Sequence, residues 1–176
     1  MTGNDSAAEP ARYVVVGIDG SPEARRALEW AVKEGQLRHA AVFAVHAWSS
    51  AHIPLPEPAR SEFAKERAER LLEDEVRKVV VQTGLPPLLI RSAIKGEPVE
   101  VLIESARHGS LLVLGSRADH PAAYHRIERQ CSARADCPVV IVTPTGAHRL
   151  ETTTQSTGQR WRTQRTATAR ERRIRS

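Results

Sequence analysis

The sequence predicts an α/β domain, an open five-stranded parallel sheet with helices on both faces, and three observations carry that prediction. Short apolar runs alternate with longer amphipathic stretches, the pattern of βαβ units. The first and last of these runs are continuous and β-branched, as a strand buried on both faces of a parallel sheet requires. The connections between runs are short and carry glycine, proline and helix-capping residues. A chain of 176 residues accommodates one such domain with appendages. A body of about 145 residues buries roughly two thirds of its unfolded surface, so it needs no disulfide or metal to fold.

Residues 13–18 (YVVVGI) form the first strand. Ser21, Pro22 and Glu23 then read as N-cap, first-turn proline and first-turn acid of a helix. That helix places Ala24, Ala27, Leu28, Ala31 and Val32 on one face and Arg25, Arg26, Glu29 and Lys33 elsewhere, with Gly35 near its end. Residues 41–47 (AVFAVHA) are the second strand, and a loop with Pro54, Pro56 and Pro58 follows. A long helix over about residues 61–82 carries Phe63, Ala64, Ala68, Leu71, Leu72, Val76 and Val79 at spacings of three and four. Gly84, Pro86 and Pro87 end it, and residues 88–94 are the third strand.

Glu97 and Pro98 open the third helix, with Val99, Leu102, Ile103 and Ala106 inward and His108-Gly109 closing it. Residues 111–114 are the fourth strand, a fourth helix beginning near Ala122 or Ala123 ends by Arg134, and residues 138–142 (PVVIV) are the fifth strand. The domain is thus expected over residues 12–145, with disordered segments at 1–11 and 146–176. Between residues 147 and 176, eight Arg against two Glu leave the tail at +6, so the rest of the chain holds −1 of the net +5. The basicity is local, and a strongly basic folded face for nucleic acid is not implied. So polar and charged a tail cannot bury enough surface to offset its ordering entropy.

No run of 18 apolar residues exists to span a membrane, and the polar N-terminus lacks the features of a signal peptide, so a cytoplasmic location is expected. Cys131 and Cys137 have no zinc-ligand partners at a suitable spacing and read as small buried hydrophobes. There is no phosphate-binding G-x-x-x-x-G-K motif, no G-x-G-x-x-G after the first strand and no H-E-x-x-H. Ser116 lacks the flanking glycines of a nucleophile elbow. Catalysis finds no support in these motifs.

Ligands of open parallel sheets bind outside the carboxyl ends of the strands, where the winding reverses. Two strand ends carry polar punctuation: Gly17-Ile18-Asp19-Gly20-Ser21 and Gly115-Ser116-Arg117. If those strands are neighbours, Asp19 and Gly115 face each other across a crevice whose helix N-termini favour an anion such as a phosphate. The plainer reading is that Gly20 and Ser21 serve a tight turn and a helix cap.

The stretches YVVVGIDGSPEARRALEWA, VFAVHAW, KGEPVEVLIESARHGSLLVLGSR and CPVVIV, in that order over residues 13–143, resemble the universal stress proteins. The resemblance implies a Rossmann-like sheet of order 3-2-1-4-5 and a stress-response regulatory module that is not an enzyme. It also implies a homodimer through the last strand, from Pro138 to Val142, whose exposed apolar edge otherwise invites pairing. One branch of the family binds ATP in the crevice. Carried over by position, Gly17 and Asp19 would lie beside the ribose and phosphates, and Ala47 would meet the adenine through backbone groups. Gly115 and Ser116 would begin the phosphate loop, with Arg117 next to them as a cation.

The loop then departs from the family's glycine motif. Its second glycine position is Ala118, and either Glu128-Arg129 or His125-Arg126 stands where Gly-Ser belongs, according to where the alignment is anchored. Side chains there block the close approach of backbone to phosphate oxygens, and Asp119 adds negative charge. In the other direction Arg117, His120, His125, Arg126 and Arg129 supply cations, either to an anion or simply to a solvated face. The departure predicts that ATP is held weakly or in modified form. The alternative is a protein-interaction homodimer that binds no nucleotide, with the basic tail tethering it to nucleic acid or acidic partners.

Overall fold

The computed structural model describes residues 13–117, 126–150 and 164–165. Four βα units and a fifth strand come first: β1 (Tyr13–Gly17), α1 (Pro22–Arg38), β2 (Ala41–Trp48), α2 (Ala59–Thr83), β3 (Leu89–Lys95), α3 (Pro98–Ala106), β4 (Leu111–Gly115), α4 (Arg126–Arg134) and β5 (Val139–Thr143). Two further strands follow, β6 (Gly146–Leu150) and the two-residue β7 (Gln164–Arg165). The sheet order is β3-β2-β1-β4-β5-β6-β7. The first five strands pair in parallel, and β6 and β7 add in antiparallel fashion.

The central strands β1, β4 and β5 are buried on both faces because helices cover both, whereas β3 is half exposed. Val14 and Val16 of β1 face one core with Leu28 and Val32 of α1 and Leu72 and Val79 of α2. Val15 faces the other, with Leu102 of α3, Cys131 of α4 and Ile141 of β5. This alternation is the period-two geometry of a strand read against two apolar layers.

α1 is capped as its sequence predicts: the Ser21 hydroxyl accepts from the Ala24 amide at 3.1 Å, and Pro22 occupies the first turn. The helix runs past Gly35 to Arg38, where His39 adopts a left-handed cap at φ 53°. Gly35 is instead a packing contact, since a Cβ there would lie 2.7 Å from Val42 Cγ2.

α2 and α1 are locked together by a buried charge that the apolar pattern does not reveal. Glu75 is 5% exposed, and its two oxygens accept from Arg25 Nε at 2.8 Å and Nη2 at 3.0 Å. Lys78 adds a third hydrogen bond at 2.8 Å. Phe63 departs from expectation, standing 44% exposed off the buried stripe of Ala64, Ala68, Leu72 and Val76. With 25 residues α2 is about 37 Å long. The seven-residue β3 beside it spans only about 23 Å, so the ends of the helix overhang the sheet.

Two expectations about the C-terminus need correction. Residues 146–150 are not part of a disordered tail: they pair with β5 along its whole length, from Thr143↔Gly146 to Val139↔Leu150. Consequently the strand from Pro138 to Val142 does not present a free edge, because β6 occupies it. Antiparallel pairing satisfies the row of backbone groups that β5 would otherwise expose. The expected N-terminal disorder at 1–11, most of the tail, and the start of the fourth helix near Ala122 lie outside the described residues. Among the described residues no helix is long and apolar enough to cross a membrane.

Candidate functional site

β1 and β4 are parallel neighbours, with Val14↔Leu111, Val15↔Leu112 and Val16↔Val113 in register. β2 lies on the far side of β1 and β5 on the far side of β4, so the winding reverses between β1 and β4. Asp19 and Gly115 therefore leave the carboxyl ends of adjacent strands, as a crevice there requires.

The β1 end is a hydrogen-bonded turn. Asp19 Oδ1 accepts from the Ser21 amide at 2.9 Å, and Gly20 adopts φ +84°, a left-handed conformation costly for any side chain. The turn and cap reading of Gly20 and Ser21 is thus what the geometry contains. The Asp19 carboxylate is exposed, with its second oxygen directed to no partner among the described residues.

The two glycines of the candidate site are tied to packing. A Cβ on Gly17 would approach Leu102 Cδ2 at 3.0 Å and Leu114 Cδ2 at 3.1 Å. A Cβ on Gly115 would lie 2.2 Å from the backbone oxygen of Glu23 and 2.7 Å from the Ala24 nitrogen. Gly115 is small because the first turn of α1 rests directly on the end of β4.

Ser116 follows, 1% exposed, its amide donating to the Val142 carbonyl at 2.9 Å. Arg117 reaches outward, and its Nε lies 3.1 Å from Glu23 Oε1. Arg26 approaches the same oxygen at 3.6 Å. The Glu23 carboxyl is held below the ordinary glutamate value, first by its own backbone amide at the helix N-terminus and then by these two guanidinium groups. A carboxylate therefore already sits among the cations and amide groups at this mouth.

The other wall is the end of β2. His46 Nδ1 donates to the Ile18 carbonyl at 2.7 Å, binding β2 to the turn after β1. Successive residues of β2 turn their backbone groups alternately to β1 and β3. Val45 O accepts from Ile18 N at 2.8 Å, and Trp48 O accepts from Gly96 N at 2.9 Å. Ala47 by this alternation faces the β1 side, beyond the last pair of β1, Gly17↔Val45. Its backbone N–H and C=O are thus directed at the space past the end of β1.

At the same end of the sheet lies a group that sequence reading missed. Lys95 Nζ sits 5.6 Å from the Trp48 ring centre and donates to Ser61 Oγ at 3.1 Å. Ser61 in turn donates to Glu57 at 3.0 Å. The register Trp48↔Lys95 brings these residues together, and no local motif marks it. Glu23 and His46 contact the residues at the two strand ends, whereas this group stands at the edge of the sheet, at the ends of β2 and β3. Of the candidate cations, His120 and His125 fall outside the described residues, as do Ala118 and Asp119, whereas Arg126 and Arg129 stand on α4.

The assembled groups offer hydrogen bonds and charge to a bound anion or heterocycle. Among the described residues no cluster of three or more His, Cys, Asp or Glu is placed to hold a metal ion. Cys131 and Cys137 are buried free thiols, and burial pushes Cys131 up to about 12.

Comparison with known proteins agrees with this geometry. Residues 11–143 match the universal stress protein family. Universal stress protein Rv2623 of Mycobacterium tuberculosis is 30% identical over 140 residues, covering 73% of this chain and 46% of that protein. The chain thus spans about half the length of the mycobacterial relatives it matches. A universal stress protein of Thermus aquaticus is 31% identical over 140 residues, covering 74% of this chain and 98% of its own length.

Among solved structures, UspA of Lactobacillus plantarum superposes with a TM-score of 0.60 at 23% identity, over 76% of this chain and 98% of its own. A universal stress protein in complex with cAMP gives 0.60 at 19% identity, over 76% and 98%. An Arabidopsis thaliana family member with AMP bound gives 0.53 at 20%, over 75% and 91%. The family match over residues 11–143 and these relatives together show that this chain belongs to the universal stress protein family.

Proposed function

We propose that this chain is a regulatory module of the stress response that binds an adenine nucleotide in the crevice between β1 and β4, without turning it over as an enzyme. One observation carries the reading: β2 outruns β1, so the backbone N–H and C=O of Ala47 point past Gly17 and Asp19 toward the winding reversal. Backbone groups in that position suit the polar edge of an adenine, and Asp19 suits ribose hydroxyls. Gly115, Ser116 and Arg117 line the phosphate side. Family members of the same fold hold cAMP and AMP.

The phosphate side supports a weak or modified mode of ATP binding. Arg117 is already paired with Glu23, and Ala118 replaces the second glycine of the family's loop. A second reading, a protein-interaction module that binds no nucleotide, draws on the same facts: packing alone accounts for the absent side chains at Gly17 and Gly115. In that reading the arginines of the tail would tether the module to nucleic acid or acidic partners.

Calorimetric titration of ATP, AMP and cAMP into the full chain, with magnesium, separates the two. Micromolar binding that Asp19→Ala weakens by about tenfold or more supports the crevice. No heat and no rise in melting temperature at millimolar ligand, with the protein folded, favours the interaction module.

A further inference from the structure

The sheet ends differently at its two sides. Beyond β5 it continues into β6 and β7, whereas β3 closes the other end with β2 as its one strand neighbour among the described residues. In a parallel ladder, alternate residues of a strand turn both backbone groups to the same neighbour. Leu88 O accepts from Val42 N at 2.8 Å and Gly96 N donates to Trp48 O at 2.9 Å, so the even-numbered residues of β3 face β2. The amides and carbonyls of Leu89, Arg91, Ala93 and Lys95 therefore form an outward row, with no partner among the described residues.

This edge keeps few of the devices that blunt an edge strand. β3 reads Leu-Ile-Arg-Ser-Ala-Ile-Lys, in unbroken register with β2 and without proline or glycine. Its two charges are the exception, and both are positive. Arg91 and Lys95 flank Ala93 on one face of the sheet, as the period of two dictates. Lys95 is held in place by Ser61 and the Trp48 ring, and neither cation is ion-paired among the described residues. On the opposite face α3 packs over β1 and β2, Ile90 stays 45% exposed and Ile94 is half-buried.

Charge selects the occupant of such an edge. Two copies of β3 paired antiparallel along their whole length would set each Arg91 diagonal to Arg91 and Lys95 of the other, crowding four cations on one face. A strand with acidic residues at the same spacing has the opposite effect, setting a carboxylate against each cation.

We propose that the outer edge of β3 docks an extended acidic segment of another protein, which adds to the sheet as an antiparallel strand. Its carboxylates lie against Arg91 and Lys95, and its alternate apolar residues lie beside Ile90 and Ile94. Main-chain hydrogen bonds to the outward row supply affinity, and the two cations set the register. β2 stands between this edge and the crevice, so the proposal holds whether or not the crevice takes a nucleotide.

Fluorescence anisotropy on the full chain tests this, with a labelled peptide of alternating glutamate and valine about ten residues long. One control peptide is N-methylated at the glutamates, whose amides would face β3, and another carries lysine in place of glutamate. The expected result is a Kd of about 10–100 µM for the acidic peptide, at least about tenfold weaker for the N-methylated one, and no binding of the lysine peptide. Ala93→Pro removes one outward amide and leaves the ladder to β2 intact, so it should weaken the acidic peptide by about tenfold with native circular dichroism. Arg91→Glu combined with Lys95→Glu should reverse the preference toward the lysine peptide. Absence of acidic-peptide binding at millimolar concentration overturns the proposal. So does an N-methylated peptide that binds as tightly as its parent, or a charge-reversed variant that still prefers glutamate.

Discussion

Arg117 Nε lies 3.1 Å from Glu23 Oε1, joining the residue after the buried Ser116 to the first turn of α1. The carboxylate is largely enclosed, with 15% of its side chain exposed, whereas 74% of the Arg117 side chain faces solvent. An incoming phosphate would compete with Glu23 for Arg117 and meet its charge at close range. Glu23→Gln should therefore tighten nucleotide binding by about three- to tenfold, more for ATP than for AMP because repulsion scales with ligand charge. Parallel titrations of both nucleotides check this. Equal affinities in the variant and the native chain would show that Glu23 does not face the phosphates.

Gly115 and Gly17 should respond differently to the same change. Gly115→Ala drives a Cβ into the backbone of Glu23 at 2.2 Å, and neither element can yield without moving α1. A loss of about 3 kcal/mol or more in denaturant unfolding is expected. Gly17→Ala meets only the ends of Leu102 and Leu114 at 3.0 and 3.1 Å, which can turn aside, so about 1 kcal/mol is expected. The order of the two midpoints is the test.

The Arg25 and Glu75 pair predicts an acid-sensitive element of stability. Hydrogen bonds from Arg25, then from Lys78, hold the Glu75 carboxyl below its ordinary value of 4.5. A carboxyl depressed in the folded state stabilises fully above its unfolded value and loses that contribution as pH falls through the lower folded value. Glu75→Gln should cost about 1–3 kcal/mol at neutral pH, since it leaves Arg25 without its carboxylate. The variant should also lose part of the fall in stability below pH about 4.5. Unfolding curves across that range, native against variant, measure both effects.

The buried thiols should be inert while the chain is folded. Cys131 is fully enclosed and pushed up to about 12 by burial, and burial raises Cys137 as well. The thiolate is the reactive species. Thiol-specific labelling at pH about 8 should modify neither cysteine in native protein and both after unfolding. Rapid labelling of the native chain would mean that α4 opens readily.

The helix cap and the apolar strand runs that local pattern marks are found where it put them, while Phe63 leaves the apolar stripe of α2. Ser21 caps α1, Pro22 starts it, and the run of valines after Tyr13 is a strand buried on both faces. Asp19 and Gly115 leave adjacent strand ends, as the crevice requires. The cap and the strand follow from capping and periodicity, which act over three or four residues and so are written in any short window of the chain, whereas the adjacency of β1 and β4 is a pairing across about 100 residues.

What the tertiary structure alone decided are the contacts between windows. Arg25 and Glu75 are 50 residues apart, and each reads as a solvated helix charge until the two helices pack. Gly115 reads as a phosphate-loop glycine, and only the placement of α1 reveals a second reason for its missing side chain. Residues 146–150 carry no strand pattern and become a strand because β5 presents an edge to them. By itself the sequence determined the five strands and four helices of the alternating body, since hydrophobic period and capping suffice for those, whereas the neighbourhood of β1 and β4 came from the family resemblance and is fixed by their pairing. The ion pairs, the role of each glycine and the capped edge were decided by packing, because their energies exist only once distant segments meet at van der Waals distance.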